Sequence, residues 1–158
     1  MKKRLTFIEY GLIMAKATSA RSEDPTTKVG AALFDIKTKR IISTGYNGIT
    51  SGREWPKEFN EDRDLKGEMV IHAEQNALLG HDPNIEKVLF MTMSPCFSCA
   101  KLIVSPLCNV KEVYYIEEYK REKEFKFRKV FGFYEIQYRE ASPVELNNIT
   151  NYVKNIKI

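Results

Sequence analysis

Cys96 and Cys99 stand three positions apart in Ser94-Pro95-Cys96-Phe97-Ser98-Cys99. Thiols at that spacing hold a metal ion, cycle through a disulfide, or simply fill a core. Ser94 is a favoured N-cap residue and Pro95 a favoured first helical residue, so a helix over 95–104 is expected to carry both thiols in its first turn, on one face. The partial positive charge of a helix N-terminus lowers a thiol pKa and so favours the thiolate a metal requires. Taken alone, the pair leaves metal and redox chemistry evenly matched. His72-Ala73-Glu74 breaks the tie, because it puts an imidazole and a carboxylate two residues apart at the start of a second expected helix, 72–79, which Gly80 ends. One histidine and two thiolates leave the fourth corner of a zinc tetrahedron open, the pattern of a catalytic rather than a structural site. In that arrangement Glu74 is placed to take a proton from water in the open position. Cys108 lies outside the pattern and is expected to be a small buried residue.

Elements able to bring these residues together can be read from the hydrophobic pattern. Thr6 and Glu9 match a capping box, and Leu5, Ile8, Leu12 and Ala15 recur at helical spacing, so the first helix begins near residue 6. It ends before Arg21-Ser22-Glu23-Asp24-Pro25. Segments 29–35 and 40–46 read as a hairpin turning at 37–39, and 47–66 as a long polar loop of a kind more often functional than idle. After that the pattern alternates: helix 72–79, strand 87–92, helix 95–104, strand 112–116, a charged helix over about 119–130, a strand at 134–138 and a final helix after Ser142-Pro143. Strand–helix–strand alternation implies parallel neighbours, hence an α/β protein built as a three-layer α/β/α sandwich on a mixed sheet. Ligands at the starts of two helices would then meet at one edge of that sheet.

Composition limits the alternatives. The 158 residues suit a single domain, taken here as 1–158, and 43% apolar content with only 14 glycines and prolines excludes a disordered chain. Three cysteines cannot close a disulfide framework and fit a reducing compartment. Lys2, Lys3 and Arg4 before an apolar stretch imitate a secretory signal, but Glu9 and Lys16 interrupt it, and no apolar run approaches the ~20 residues of a membrane span. The expectation is a soluble cytoplasmic protein with no membrane partner. A net charge of +4 suits a small anion better than a long nucleic acid.

His-x-Glu followed by Pro-Cys-x-x-Cys resembles the signature of zinc nucleobase deaminases. Arg21-Ser22-Glu23-Asp24-Pro25, Val29-Gly30-Ala31, Gly45-Tyr46-Asn47-Gly48, His72-Ala73-Glu74-Gln75-Asn76-Ala77 and Pro95-Cys96-Phe97-Ser98-Cys99-Ala100-Lys101 stand in the order found in deoxycytidylate (dCMP) deaminases, which the chain resembles over about 5–119. The resemblance implies a cytidine deaminase-like five-stranded mixed sheet and a homohexamer. It also implies one catalytic Zn2+ per subunit on His72, Cys96 and Cys99, with Glu74 as proton shuttle. Asn47, Ala73, Ser94, Arg21, Ser22 and Tyr119 would bind the substrate, with Lys28 near its phosphate. The implied reaction turns dCMP into dUMP and ammonia, supplying dUMP for thymidylate synthesis. Many family members are regulated by dCTP and dTTP, a triphosphate that can bring Mg2+, through a loop that corresponds to Gly45, Tyr46, Gly48 and Gly52. This chain departs there, with Thr50 where proline is usual, and again at Ser105-Pro106-Leu107-Cys108-Asn109, where a shorter glycine-containing turn is usual.

Other readings stay open on sequence. The substrate could be cytidine, a tRNA adenosine, single-stranded DNA or a pterin-like metabolite, or the domain could be a non-catalytic zinc- or nucleotide-binding module. The strand-binding reading looks to Phe125, Phe127, Phe131 and Phe133 among Lys123, Lys126, Arg128 and Lys129 as a stacking platform. One amphipathic helix running into a strand explains the same pattern, and five glutamates between 112 and 124 dilute the basic field.

Overall fold

A computed structural model of the chain describes residues 4–50, 52–120 and 126–155. Lys2, Lys3, Lys123 and Phe125, invoked above, lie outside the described residues. The first helix, α1 (Phe7–Ser19), starts on the expected capping box: Thr6 Oγ1 accepts from the Glu9 N–H at 3.2 Å and Glu9 accepts from the Thr6 N–H at 2.7 Å. Strands β1 (Gly30–Asp35) and β2 (Ile41–Tyr46) form the hairpin, whose turn is fixed by Asp35 Oδ1 accepting from the Lys37 and Thr38 N–H groups and by Lys39 at φ 62°.

The stretch after β2 is not the structureless loop its polarity suggests. It contains a 3-10 turn (Lys57–Asn60) and a helix, α2 (Arg63–Met69), capped by Asp62, whose Oδ1 accepts from the Asp64 and Leu65 N–H groups. Nor is Asn47-Gly48 a hairpin turn. Gly48 exchanges two backbone hydrogen bonds with Ile71, 3.1 and 2.8 Å, which returns the chain to His72.

Then follow α3 (Ala73–Leu78), β3 (Lys87–Met93), α4 (Phe97–Ile103), β4 (Val110–Glu117), α5 (Lys126–Phe133), β5 (Gln137–Glu140) and α6 (Pro143–Lys154). Gly80 at φ +73° ends the segment after α3, the left-handed conformation glycine adopts without strain. Several boundaries differ from expectation by one to a few residues, and three of the differences matter here. Tyr119 and Lys120 are not helical, and α5 runs on to Phe133 because Phe127 and Phe131, four apart, are both buried on one face. The last strand starts three residues late, since Ile136 N–H returns to the Phe131 carbonyl around Glu135 at φ 56°. The third boundary, that of α4, belongs to the site.

The five strands form one mixed sheet in the order β2-β1-β3-β4-β5; β1 is antiparallel to β2 and β3, and β4 parallel to β3 and β5. Side chains alternate between two cores on its faces. Leu33, Leu89, Met91, Val113 and Tyr115 meet α3, α4 and α5 on one side, while Ala32, Phe34, Val88 and Phe90 meet α1 and α6 on the other. Phe90 stacks on Tyr114 and sits edge-on to Phe7 and Phe34, with ring centroids 5.3 to 5.5 Å apart, contacts worth ~0.5–1.5 kcal/mol each beyond burial. The result is the three-layer α/β/α sandwich. Among the described residues no helix is long and apolar enough to cross a membrane.

Candidate active site

Registers in the sheet determine where the site falls. Gly30 pairs with Tyr46, Ala31 with Met91 and Met93 with Glu117, so the start of β1 and the ends of β2, β3 and β4 lie along one edge. The N-termini of α3 and α4 open on that edge. A cavity of about 120 Å³ is walled there by Asp24, Thr27, Val29, Asn47, Ala73, Glu74, Met93, Ser94, Tyr119 and others, with His72 and Cys96 at one end.

Gly45 brings α3 to this edge. A Cβ at Gly45 would lie 2.2 Å from the Ala73 carbonyl oxygen and 2.4 Å from the Ala77 nitrogen, so β2 and α3 touch backbone to backbone. Asn76 then donates to the Tyr46 carbonyl at 2.8 Å, and Gln75 Oε1 accepts from the His72 N–H at 2.8 Å, which fixes the first turn of α3. In α4 the expected N-cap is two residues out. Cys96 itself is the cap, its Sγ accepting from the Cys99 N–H at 3.5 Å, and Pro95 precedes the helix. Ser94 is engaged elsewhere: its N–H donates to Glu117 O and its Oγ accepts from the Tyr119 N–H, both at 2.8 Å, lacing the ends of β3 and β4 together. The two thiols therefore occupy the cap and third positions of α4, still on one face.

Three donors converge. His72 Nδ1 lies 3.6 Å from Cys96 Sγ and 3.3 Å from Cys99 Sγ, and all three donor atoms fall within 4.8 Å of one another. Zinc bonds of ~2.0–2.3 Å place the corners of a tetrahedron ~3.5–3.8 Å apart, so the set fits a zinc ion with one position left for a non-protein ligand. Among the described residues no fourth histidine, cysteine or carboxylate joins this group. Two sulfurs this close, and largely buried, resist carrying charge together. Hydrogen bonds from Cys99 and His72 push the Cys96 thiol down to about 4, while the neighbouring Cys96 and burial push Cys99 up. The hydrogen bond to Cys96 also raises the His72 imidazole, against its burial. A divalent cation supplies the charge that lets both sulfurs be thiolates and keeps the imidazole neutral.

Glu74 is 4% exposed at the same end of the cavity, and burial pushes its carboxyl up to about 7 against the pull of its own backbone N–H and of His72. A carboxyl that exchanges a proton near neutral pH is suited to act as both acid and base. Cys108 is buried in the core and stands apart from the donor group.

The other expected residues divide. Asn47, Ala73, Ser94 and Tyr119 line the cavity, whereas Arg21, Ser22 and Lys28 do not. Asn47 Oδ1 accepts from the Val29 N–H at 2.7 Å and its Nδ2 donates to the Thr27 carbonyl at 2.8 Å, which leaves one amide hydrogen and one lone pair for the cavity. Ser22 donates to the Asn47 carbonyl at 2.8 Å, Lys28 Nζ donates to the Ser22 carbonyl, and the exposed Arg21 guanidinium stands 5.9 Å from the centre of the Tyr46 ring. Of the glycines proposed to take an effector, Gly45 is packed under α3, Gly48 is bridged to Ile71, and Gly52 is exposed at φ +81°. Asp24, Arg63 and Lys66 also wall the cavity, and sequence reasoning left Arg63 and Lys66 unremarked within the charged loop. Their spacing of three in a segment capped by Asp62 was the available signal.

A three-layer sandwich with a His, Cys, Cys donor set and a buried glutamate at the starts of two helices defines a zinc-dependent deaminase domain. The family model for the cytidine and deoxycytidylate deaminase zinc-binding region matches residues 5–117, and the chain belongs to that family. It is 37% identical over 128 residues to a probable deoxycytidylate deaminase of Caenorhabditis elegans, a match covering 74% of this chain and 58% of the nematode protein. With the mouse deoxycytidylate deaminase it shares 30% identity over 154 residues, covering 90% of this chain and 85% of the mouse protein. The crystal structure of dCMP deaminase from the cyanophage S-TIM5 superimposes with a TM-score of 0.69 at 27% identity, covering 88% of this chain and all of the phage chain. The phage enzyme has also been crystallised in complex with dCMP and dUMP; that structure has a TM-score of 0.61 at 25% identity, covering 85% of this chain and 93% of the phage chain.

Proposed function

We infer that this chain catalyses the hydrolytic deamination of dCMP to dUMP and ammonia. The observation that carries the reading is the convergence of His72, Cys96, Cys99 and Glu74 on one cavity in a chain similar to deoxycytidylate deaminases. His72, Cys96 and Cys99 would hold the zinc ion, which would supply the Lewis acidity that brings the pKa of water toward ~7. Glu74 would take one proton from the attacking water and pass it to N3 of the cytosine, then take the second proton from the hydroxyl now on C4 and give it to the amine that leaves as ammonia. One buried carboxyl can serve each of these transfers because they occur within hydrogen-bond reach of a single point. The Ala73 N–H, in the first turn of α3, and the free amide hydrogen of Asn47 orient the base and sugar, with Ser94 and Tyr119 lining the same cavity.

Zinc-replete protein should release one ammonia per dCMP consumed and form dUMP. No ammonia from dCMP, with release from cytidine, a tRNA adenosine or single-stranded DNA instead, would replace the substrate; silence on all of them would leave a non-catalytic zinc module. The strand reading is weakened by Phe127 and Phe131, which are fully buried against Tyr115 and Tyr138 and offer no face to a base.

Resemblance to the family supports three finer expectations: a homohexamer, a cytoplasmic location, and control by dCTP and dTTP, with Mg2+, at a site including Gly45, Tyr46, Gly48 and Gly52. Sedimentation of the zinc-loaded protein, and dCMP assays with and without each triphosphate, test the first and third.

A further inference from the structure

The cavity wall contains few charges, and most of them are already engaged. His72, Cys96 and Glu74 belong to the metal end. Asp24 and Lys66 neutralise each other: Lys66 Nζ lies 2.9 and 3.1 Å from the two Asp24 carboxylate oxygens and 2.8 Å from Thr26 Oγ1, with the side chains only 10% and 3% exposed. Arg63 is the charge left over. It lines the cavity, it is exposed, and among the described residues no ion pair or hydrogen bond engages its guanidinium.

Its position follows from the period of α2. Arg63, Lys66, Gly67 and Val70 all wall the cavity, and their spacing of i, i+3, i+4 and i+7 makes them one stripe of the helix surface. Val70 is two residues from His72, so the stripe runs away from the metal end and reaches Arg63 after a rise of ~10 Å, the length scale of a nucleoside monophosphate. Asp62 already caps the helix, so an anion at that end would be met by the Arg63 side chain rather than by free backbone N–H groups.

We propose that Arg63 recognises the 5′-phosphate of the substrate and that the buried Asp24–Lys66 pair is the positioning device that holds α2, and with it Arg63, over the cavity. This rests on the nucleotide reading above. A guanidinium presents paired donors to phosphate oxygens, and a contact remote from C4 is made equally in the ground and transition states. It therefore acts on KM far more than on kcat.

The test uses the zinc-loaded full chain with zinc content as the control for folding. Arg63→Ala is expected to raise KM for dCMP about 10- to 100-fold with kcat within a few-fold, and Arg63→Lys to recover part of the loss. The ratio of kcat/KM for dCMP to that for deoxycytidine should fall with it. A KM within twofold of the unmodified protein, or an equal loss on both substrates, overturns the assignment. Titration with dUMP and with deoxyuridine reads the same contact without turnover: the unmodified protein should prefer dUMP and R63A should not. An unmodified protein inert toward dCMP but with that preference would retire the activity and keep the phosphate site, whereas an active one whose R63A variant keeps its KM would retire Arg63 alone. Lys66→Gln should raise KM in the same direction, and combining it with R63A should add little, because both act through one contact. Full additivity would overturn the positioning role.

Discussion

Cys99 Sγ stands 3.3 Å from His72 Nδ1, although 27 positions separate them in the chain. Each residue lies at the start of a short helix, six residues in α3 and seven in α4, and helices of that length are not stable alone. A metal ion shared between them would therefore join two elements whose buried residues, Ala73, Ala77 and Ala100 among them, lie in one core cluster. Chelation should abolish ammonia release, lower the thermal midpoint and be reversed by zinc alone. Cys99→Ala should lose both zinc and activity, while Cys108→Ser should keep one zinc per chain.

Glu74→Gln keeps the shape of the buried side chain and removes its proton chemistry. The expected result is full zinc content with kcat lower by about 10²–10⁴-fold, the usual contribution of a general acid–base group. Metal analysis beside single-turnover kinetics checks it. A zinc-replete variant with kcat within tenfold of the unmodified protein would remove Glu74 from the reaction.

Gly45 is expected to be intolerant of any side chain. Its missing Cβ is what admits the Ala73 carbonyl and Ala77 nitrogen, both backbone atoms that cannot turn aside. Gly45→Ala should force α3 off β2, costing ~1–3 kcal/mol as overpacking does, and moving His72 and Glu74 together. Denaturation midpoint and zinc affinity should fall in parallel. At Gly48 the nearest atoms to an added Cβ are Tyr46 ring carbons at 3.8 and 3.9 Å, so Gly48→Ala is the matched control.

The donor set and its helices were legible because residue type and spacing carry them: a metal needs thiolates and an imidazole, and His72, Cys96 and Cys99 are, among the described residues, the only group of that kind at helix starts. The unbroken apolar run Val88 to Met91 likewise announced a strand, which is buried on both faces. What could not be read was how side chains divide their hydrogen bonds. Ser94 looked like a cap by type, yet its hydroxyl is taken by the Tyr119 N–H from the neighbouring strand's end, and the cap passes to the Cys96 sulfur. Asn47 and Ser22 looked free to bind a ligand, but much of their capacity is used on Thr27, Val29 and each other. Arg63 does not stand out by type within a charged segment, and only the turn of α2 that buries Lys66 shows which face it shares with the cavity.

Acid should destabilise the fold through carboxylates that join elements. Glu145 caps α6 and pairs with Arg139 of β5; that pairing, with the Ser142 N–H and hydroxyl, holds its carboxyl down at about 2. Burial works against Asp24 and Glu9, but hydrogen bonds outweigh it and both are lowered, Asp24 chiefly by Lys66 and Glu9 chiefly by Asn148 of α6. A carboxyl whose folded value is depressed contributes stability that is complete above its unfolded value and is lost as pH falls through the folded one. For Glu145 the window therefore runs from about pH 4.5 down to about 2. Glu145→Gln should be less stable than the unmodified chain above that window, by about 1 kcal/mol for a capping pair whose arginine is partly exposed. The two proteins should converge as the window is crossed, because a protonated glutamate and a glutamine offer α6 nearly the same contacts. Urea denaturation at pH steps from 7 to 2 checks this, and since the variant keeps His72, Cys96 and Cys99, acid release of the metal affects both proteins alike. A stability difference that persists unchanged at pH 2 would show that Glu145 acts through packing rather than charge.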